Sequence, residues 1–338
     1  MSKEISRANR NVPILPPRIL LDIHTNCNLQ CPQCLVHGES KDPRTLIYKN
    51  KIMPLHMAMS IIDEIEEIHP LLIPDMWSEP LLYPYFRELT QYMKKKGVTL
   101  AINTNGLLLS EEMAKFLVEI EFDSVIISID ATTDETLKKI RGFSRLSHLI
   151  KIVERLIKIR GSKDKPRIGV SMTLQNANIQ ERDLFVSYWT QRVDFVRIGT
   201  YFDGTEFIQV NIGKKGGRIP CLSLYSTMPI HADGNVSICC LDIFNEYNMG
   251  NVFNEGIKGV WNGEKFTRIR ELHEKNDYSQ LPLCRNCSRW NSYQYTDRIE
   301  NGLLIRKSSE YEYYNRIDRL DSWDEKLHGT HTEWIDIV

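Results

Sequence analysis

Hydrophobic and polar positions follow two rhythms between residue 18 and about residue 201. RILLDIHT, LLIPDMWSE, TLAINTN, SVIISID, RIGVSMTL and DFVRIGTY are short apolar runs and read as six strands. Between them, HMAMSIIDEIEEI, YFRELTQYMKKKG, EEMAKFLVEI, SHLIKIVERLIKIRG and ERDLFVSYWTQ place apolar residues every three or four positions, the period of amphipathic helices. Gly97 and Gly161 close two of these helices, and Asn105-Gly106 turns the third strand. Such alternation predicts an α/β fold, a parallel sheet with helices outside it. Functional groups in these sheets gather at the carboxyl ends of the strands.

The alternation stops at GKKGGRIP, residues 213–220, which reads as a linker. Beyond it the elements are short, and Asp233-Gly234 predicts a hairpin that ends on Cys239. The tail from residue 291 is charged and aromatic, and YEYYNRIDRLDSWDEKL is expected to be helical. The chain therefore divides into an extension (1–17), a core (18–212), a cysteine-rich region (213–290) and a partly helical tail (291–338).

The totals narrow the classes. The 338 residues are 42% hydrophobic, enough for a sizeable core. Forty-three basic residues against 44 acidic ones leave a net charge of -1, without the basic excess of a nucleic-acid binder. No apolar run reaches membrane-spanning length, and MSKEISRANRNVPILPP lacks the apolar centre of a secretory signal. The expectation is a soluble, cytoplasmic protein with no nucleic-acid or membrane partner. Eight cysteines fall in clusters at 27, 31, 34 and at 221, 239, 240, 284, 287, with none in the 186 positions between. Clusters of this kind read as metal sites rather than as a disulfide framework.

The first cluster, TNCNLQCPQC, spaces Cys27, Cys31 and Cys34 as C-x3-C-x2-C just past the first strand. His37 could complete a four-ligand zinc site. The favoured reading is a 4Fe–4S cluster held by three thiolates, which leaves one iron open. These residues resemble the radical S-adenosylmethionine (SAM) superfamily. That resemblance implies a partial (β/α)6 TIM-like barrel, with SAM chelating the open iron. It also implies reductive cleavage of SAM to a 5′-deoxyadenosyl radical that abstracts a substrate hydrogen, and a reductant such as flavodoxin or ferredoxin. Trp77-Ser78-Glu79-Pro80 is similar to the family's Gly-Gly-Glu-Pro segment, with both glycines replaced. The resemblance assigns SAM binding to Ser78, Glu79, Asn103 of INTNG, Ser128, Asp130, Arg141 and Thr173, with Ser171 at the same mouth. Gln33 stands where the family has an aromatic residue.

Cys221, Cys239, Cys284 and Cys287 form a second set, ending in C-x2-C. It resembles the SPASM or twitch extension that carries auxiliary 4Fe–4S clusters, and the count fits one closed cluster. A four-cysteine zinc site is the alternative. Cys240 remains, as a small buried residue, as a substitute ligand for Cys239, or as a hydrogen-atom donor to a substrate radical. The implied reaction is oxidation or epimerisation of a small polar substrate such as a sugar, aminocyclitol or aminoglycoside. Epimerisation or crosslinking of a ribosomal peptide is the alternative, and a non-catalytic metal-binding scaffold is the reading from another class. Asp203, Glu206, Arg218, His231 and Asp242 are candidate polar groups near the expected domain junction.

Overall fold

The six apolar runs form six parallel strands joined by helices. In chain order these are β1 (Arg18–Leu21), α1 (Arg44–Tyr48), α2 (Leu55–Ile65), β2 (Leu71–Ile73), α3 (Phe86–Lys95), β3 (Thr99–Thr104), α4 (Glu111–Glu119), β4 (Ser124–Ser128), α5 (Asp134–Arg141), α6 (Leu146–Arg160), β5 (Arg167–Leu174), α7 (Arg182–Trp189) and β6 (Phe195–Thr200). The structure is a computed structural model and describes residues 12–39, 42–201 and 217–320. Each strand pairs with the next in parallel from β1 to β6, and β1 does not pair with β6. The result is an open, partial barrel.

Local chemistry sets the elements. Ser110 and Thr133 accept the backbone N–H of Met113 and Thr136 and so start α4 and α5. Two buried carboxylates brace the opposite end of the sheet from the cysteines. Asp123 accepts the N–H of Leu100 at 2.9 Å and Asp194 that of Ile168 at 2.7 Å, while Lys94, Lys165, Arg160 and Arg319 balance their charge.

Side chains alternate across the sheet as the two-residue strand period requires. Ile19, Leu21, Leu72, Leu100 and Ile102 pack into the main core under the helices. Leu20, Leu71, Ile73 and Ala101 form a second cluster on the other face, with Cys240 against it. That second face is the barrel interior.

Both sheet edges are extended. After α8 (Ser223–Ser226), β7 (Thr227–Ile230) adds parallel to β1. The expected Asp233-Gly234 turn then leads to β8 (Asn235–Val236), and β9 (Gly250–Asn251) follows. Three helices come next, α9 (Val252–Trp261), α10 (Glu264–Glu274) and α11 (Pro282–Asn286). A meander follows, β10 (Thr296–Glu300), β11 (Leu303–Lys307) and β12 (Tyr311–Arg316), in which β12 pairs antiparallel with β6. The helix expected in the tail is not formed over residues 311–316. The free edge of β6 offers unpaired N–H and C=O groups, and the tyrosine-rich YEYYNR, of high strand propensity, satisfies them. Residues 321–327 of that expected helix lie outside the described residues. Among the described residues, no helix is long and apolar enough to cross a membrane.

One close approach fixes the β5–β6 register. A Cβ on Gly169 would lie 2.3 Å from the Phe195 ring, which is fully buried. Gly169→Ala should therefore lower stability by roughly 1–3 kcal/mol through overpacking, measured by chemical denaturation. A wild-type midpoint would contradict this packing.

Candidate active site

The cysteine loop leaves the carboxyl end of β1. Cys27, Cys31 and Cys34 are all partly exposed. The loop curls tightly: the N–H of Cys34 donates to the carbonyl of Cys31 at 2.8 Å, and that of Gly38 to the carbonyl of Cys34 at 3.0 Å. A Cβ on Gly38 would lie 2.5 Å from the Cys31 carbonyl oxygen and 2.6 Å from that of Cys34. Only glycine fits there. The N–H groups of Leu29 and His37 point at the sulfurs of Cys27 and Cys34, at 3.4 and 3.3 Å. Such donors stabilise negative charge on sulfur, as thiolate ligands require.

A buried carboxylate ties this loop to the neighbouring strand ends. Glu79 Oε2 accepts the N–H of Asn105 at 2.8 Å, and Oε1 accepts the Thr104 hydroxyl at 2.7 Å and the Leu81 N–H at 3.3 Å. Its own N–H donates to the carbonyl of Asn26 at 2.9 Å. His24 completes the tie: Nδ1 accepts the Asn26 N–H at 3.0 Å, so Nε2 carries the proton and donates to the Glu79 carbonyl at 2.8 Å. Burial lowers the His24 pKa, which favours this neutral form. Asn105 also donates to Asn28 at 2.7 Å.

Above these ties lies an open cavity of about 420 Å³. Cys27, Cys31 and Cys34 line it, as do Ser78, Glu79, Asn103, Ser128, Arg141 and Thr173. Asp130 does not. Its carboxylate accepts Arg141 at 2.7 and 2.8 Å and the Thr173 N–H at 2.6 Å, so it positions two cavity residues instead. Ser171 sits behind Ser128, at 3.4 Å between hydroxyl oxygens. Gln33 bonds Gln175, and Tyr201 donates to the Gln33 carbonyl at 3.2 Å, bringing an aromatic ring to the wall near position 33.

Three charged cavity residues escaped the sequence reading. Asp75, Arg197 and Arg289 all face it. Asp75 and Arg197 continue the inward alternation of β2 and β6, so a charged residue at an inward strand position was their available signal. Burial pushes Asp75 up to about 7, against the stabilising N–H of Asn103 at 3.1 Å. Asp22, fully buried below, is also pushed up to about 7 by burial and accepts the Tyr48 hydroxyl.

The four later cysteines line one smaller cavity with Cys240, Arg218, His273, Arg289 and Trp290. Arg218 donates to the carbonyls of Cys284 and Arg285 and stacks on Tyr278 at 3.7 Å. Burial pushes Cys284 up to about 12 and Cys287 to about 11, and it also raises Cys221 and Cys239. Thiols so placed ionise only beside strong positive charge, which bound iron provides. Cys240, Leu241 and Arg289 belong to both cavities and form their shared wall. Trp77 fixes that wall by donating to the Cys240 carbonyl at 3.1 Å.

Other candidates fall elsewhere. His231 lines a side pocket with Lys51 and Asp233, and Asp242 caps a turn by accepting the N–H groups of Glu246 and Tyr247 at 2.8 and 3.0 Å. Asp203 and Glu206 lie outside the described residues.

The donor set fits SAM and iron–sulfur clusters. Ser78 Oγ, Asn103 Oδ1 and Thr200 Oγ1 are buried without partners on the cavity wall, where a polar cofactor would satisfy them. Residues 21–185 match the family model described as the radical SAM superfamily, and residues 211–288 match SPASM, an iron–sulfur cluster-binding domain. A relative from Pyrococcus furiosus, the tungsten-containing aldehyde ferredoxin oxidoreductase cofactor-modifying protein, is 25% identical over 325 residues, covering 80% of this chain and 86% of that one. Mycofactocin maturase MftC of Mycobacterium tuberculosis is 23% identical over 312 residues, covering 79% and 74%. Among solved structures, anSMEcpe with bound AdoMet superposes with a TM-score of 0.61 at 16% identity, covering 95% of this chain and 94% of that one. The chain belongs to the radical SAM superfamily and carries a SPASM-type domain, so its cofactors are SAM and 4Fe–4S clusters.

Glu79→Gln sets an amide NH₂ against groups that donate to the carboxylate. It should destabilise the protein by roughly 1–3 kcal/mol, read by denaturation. Wild-type stability would contradict the tie.

Proposed function

We propose that this chain removes a hydrogen atom from an unactivated C–H bond of a peptide and carries the product to an oxidised or epimerised state. The observation that carries the reading is the shared wall: Cys240, Leu241 and Arg289 separate the three-cysteine cavity from the four-cysteine one. Cys27, Cys31 and Cys34 would hold the SAM-binding cluster, and Cys221, Cys239, Cys284 and Cys287 one auxiliary cluster. When bound, these groups supply reductive cleavage of SAM, hydrogen-atom abstraction by the resulting radical, and an acceptor for the electron left on an oxidised substrate.

The protein's residues do the rest. Arg141, held by Asp130, offers its guanidinium to the SAM carboxylate. Ser78 and Asn103 offer unpartnered oxygens to the SAM ammonium. Asp75, with a pKa of about 7, takes the proton that leaves when the substrate is oxidised. In an epimerisation, the Cys240 thiol gives a hydrogen atom back to the substrate carbon, and the thiyl radical left behind returns to the thiol by taking one electron from the external reductant and one proton. Peptide substrate is favoured by the fold shared with Streptococcus suis SuiB bound to precursor peptide SuiA, at a TM-score of 0.60 and 14% identity. A sugar, aminocyclitol or aminoglycoside is the second reading, favoured by the polar wall of Asp75, Asn103, Ser128 and Thr173.

Anaerobic reconstitution should yield about eight irons per chain, two four-iron clusters. Reduction with SAM should yield 5′-deoxyadenosine, and replacing Cys27, Cys31 and Cys34 by Ala should abolish it. Cys284→Ala should keep substrate-free 5′-deoxyadenosine formation and lose the oxidised product. A colourless zinc protein, or 5′-deoxyadenosine from the triple variant, would overturn the reading. Cys240→Ala that still epimerises would remove Cys240 from the mechanism.

A further inference from the structure

The barrel interior below the cavity gathers positive charge. Arg18 is only 6% exposed, and its Nε and Nη1 have no hydrogen-bond partner. It opens β1 on the same face as Leu20, so strand alternation turns it into the barrel. There it lies within electrostatic reach of Arg289, Cys240, Tyr311 and Tyr293. Arg197 and Arg289 line the cavity from β6 and from the segment after α11. Arg289 pairs with Glu310 at 3.0 Å and also donates to the Tyr311 hydroxyl. Asp75 lies within electrostatic reach of Arg197, and because burial raises its pKa it offsets that charge only in part. Arg197 and Arg289 thus face the cavity with Arg18 behind Arg289, and the carboxylates that answer them are Glu310 and, in part, Asp75.

Burying an arginine with unused N–H groups costs several kcal/mol unless an anion completes the site. Arg18 keeps two N–H groups without partners, and Arg197 presents its guanidinium on the cavity wall, so both can take a further anion. The planar fork of a guanidinium matches a carboxylate with two parallel hydrogen bonds.

We propose that Arg18, Arg197 and Arg289 form a carboxylate-binding subsite that anchors an acidic group of the substrate beneath the SAM-binding end of the cavity. This inference rests on the reading of that cavity as the substrate site. It sharpens the substrate class: an acidic side chain or chain terminus of a peptide fits, whereas an aminocyclitol brings positive charge to a positive wall. The arginines also set depth, because an anchor at the barrel interior places the carbons beyond it toward the cysteine loop.

The test uses reconstituted protein with SAM, and glutarate as the probe. Glutarate should bind, protect Arg197 from phenylglyoxal as read by peptide mass spectrometry, and lose affinity about tenfold or more in Arg197→Gln. Neutral glutaramide should bind about tenfold more weakly than glutarate or not at all. Arg18→Gln should weaken glutarate likewise; if that variant does not fold, Arg197→Gln carries the test alone. Three results would overturn the subsite: equal affinity for glutarate and glutaramide, unchanged glutarate affinity in Arg197→Gln, or tighter binding of inorganic phosphate than of glutarate. Loss of SAM affinity in Arg197→Gln with glutarate binding intact would reassign that arginine to the cofactor and also overturn it. Wild-type 5′-deoxyadenosine formation without glutarate, measured in the same preparation, reports on the proposed function alone, so the two can fail separately.

Discussion

The Glu79 carboxylate is the knot on which the site depends. It takes up donors from the end of β3 and from the turn that follows its own strand, while its backbone holds the cysteine loop through Asn26 and His24. Three strand ends that would otherwise splay are fixed relative to one another by largely buried groups. A buried carboxylate is costly unless its lone pairs are filled, and here three donors fill them. Burial still raises its pKa. The cavity wall is thus set before any ligand arrives, which is the preorganisation a radical reaction needs to confine a reactive species.

The second constraint is topological. A six-stranded parallel array does not close, and its two open edges must be covered. β7 covers the β1 edge and brings Cys221 and the Cys239-Cys240 pair with it. β12 covers the β6 edge and brings Tyr311 to the same interior, where it meets Arg289. The SPASM-type region is therefore continuous with the sheet, and the wall between the two cavities follows from edge protection.

Much of this was legible in the sequence. The six strands and their helices followed from periodicity, and the two cysteine sets from spacing. Ser78, Asn103, Ser128, Arg141 and Thr173 do reach one cavity, because strand-end residues of a parallel sheet share one rim. Asp130, which the resemblance placed with the SAM-binding residues, bonds Arg141 and the Thr173 N–H instead of lining the cavity. The tail was misread over residues 311–316, where the tyrosines favour a strand once a free edge is present. Arg18, Asp75 and Arg197 carried only the signal of a charge at an inward strand position, whose meaning depends on which strand face points inward and on what lies across the barrel.

The central claim is one protein with two chemically different iron–sulfur sites, one open to SAM and one closed by four cysteines. Electron paramagnetic resonance of the reduced, reconstituted protein tests it directly. The account predicts two signals from reduced 4Fe–4S clusters. SAM should shift only the one that disappears when Cys27, Cys31 and Cys34 are replaced by Ala. A single signal, or SAM-induced changes that persist in that variant, would contradict it.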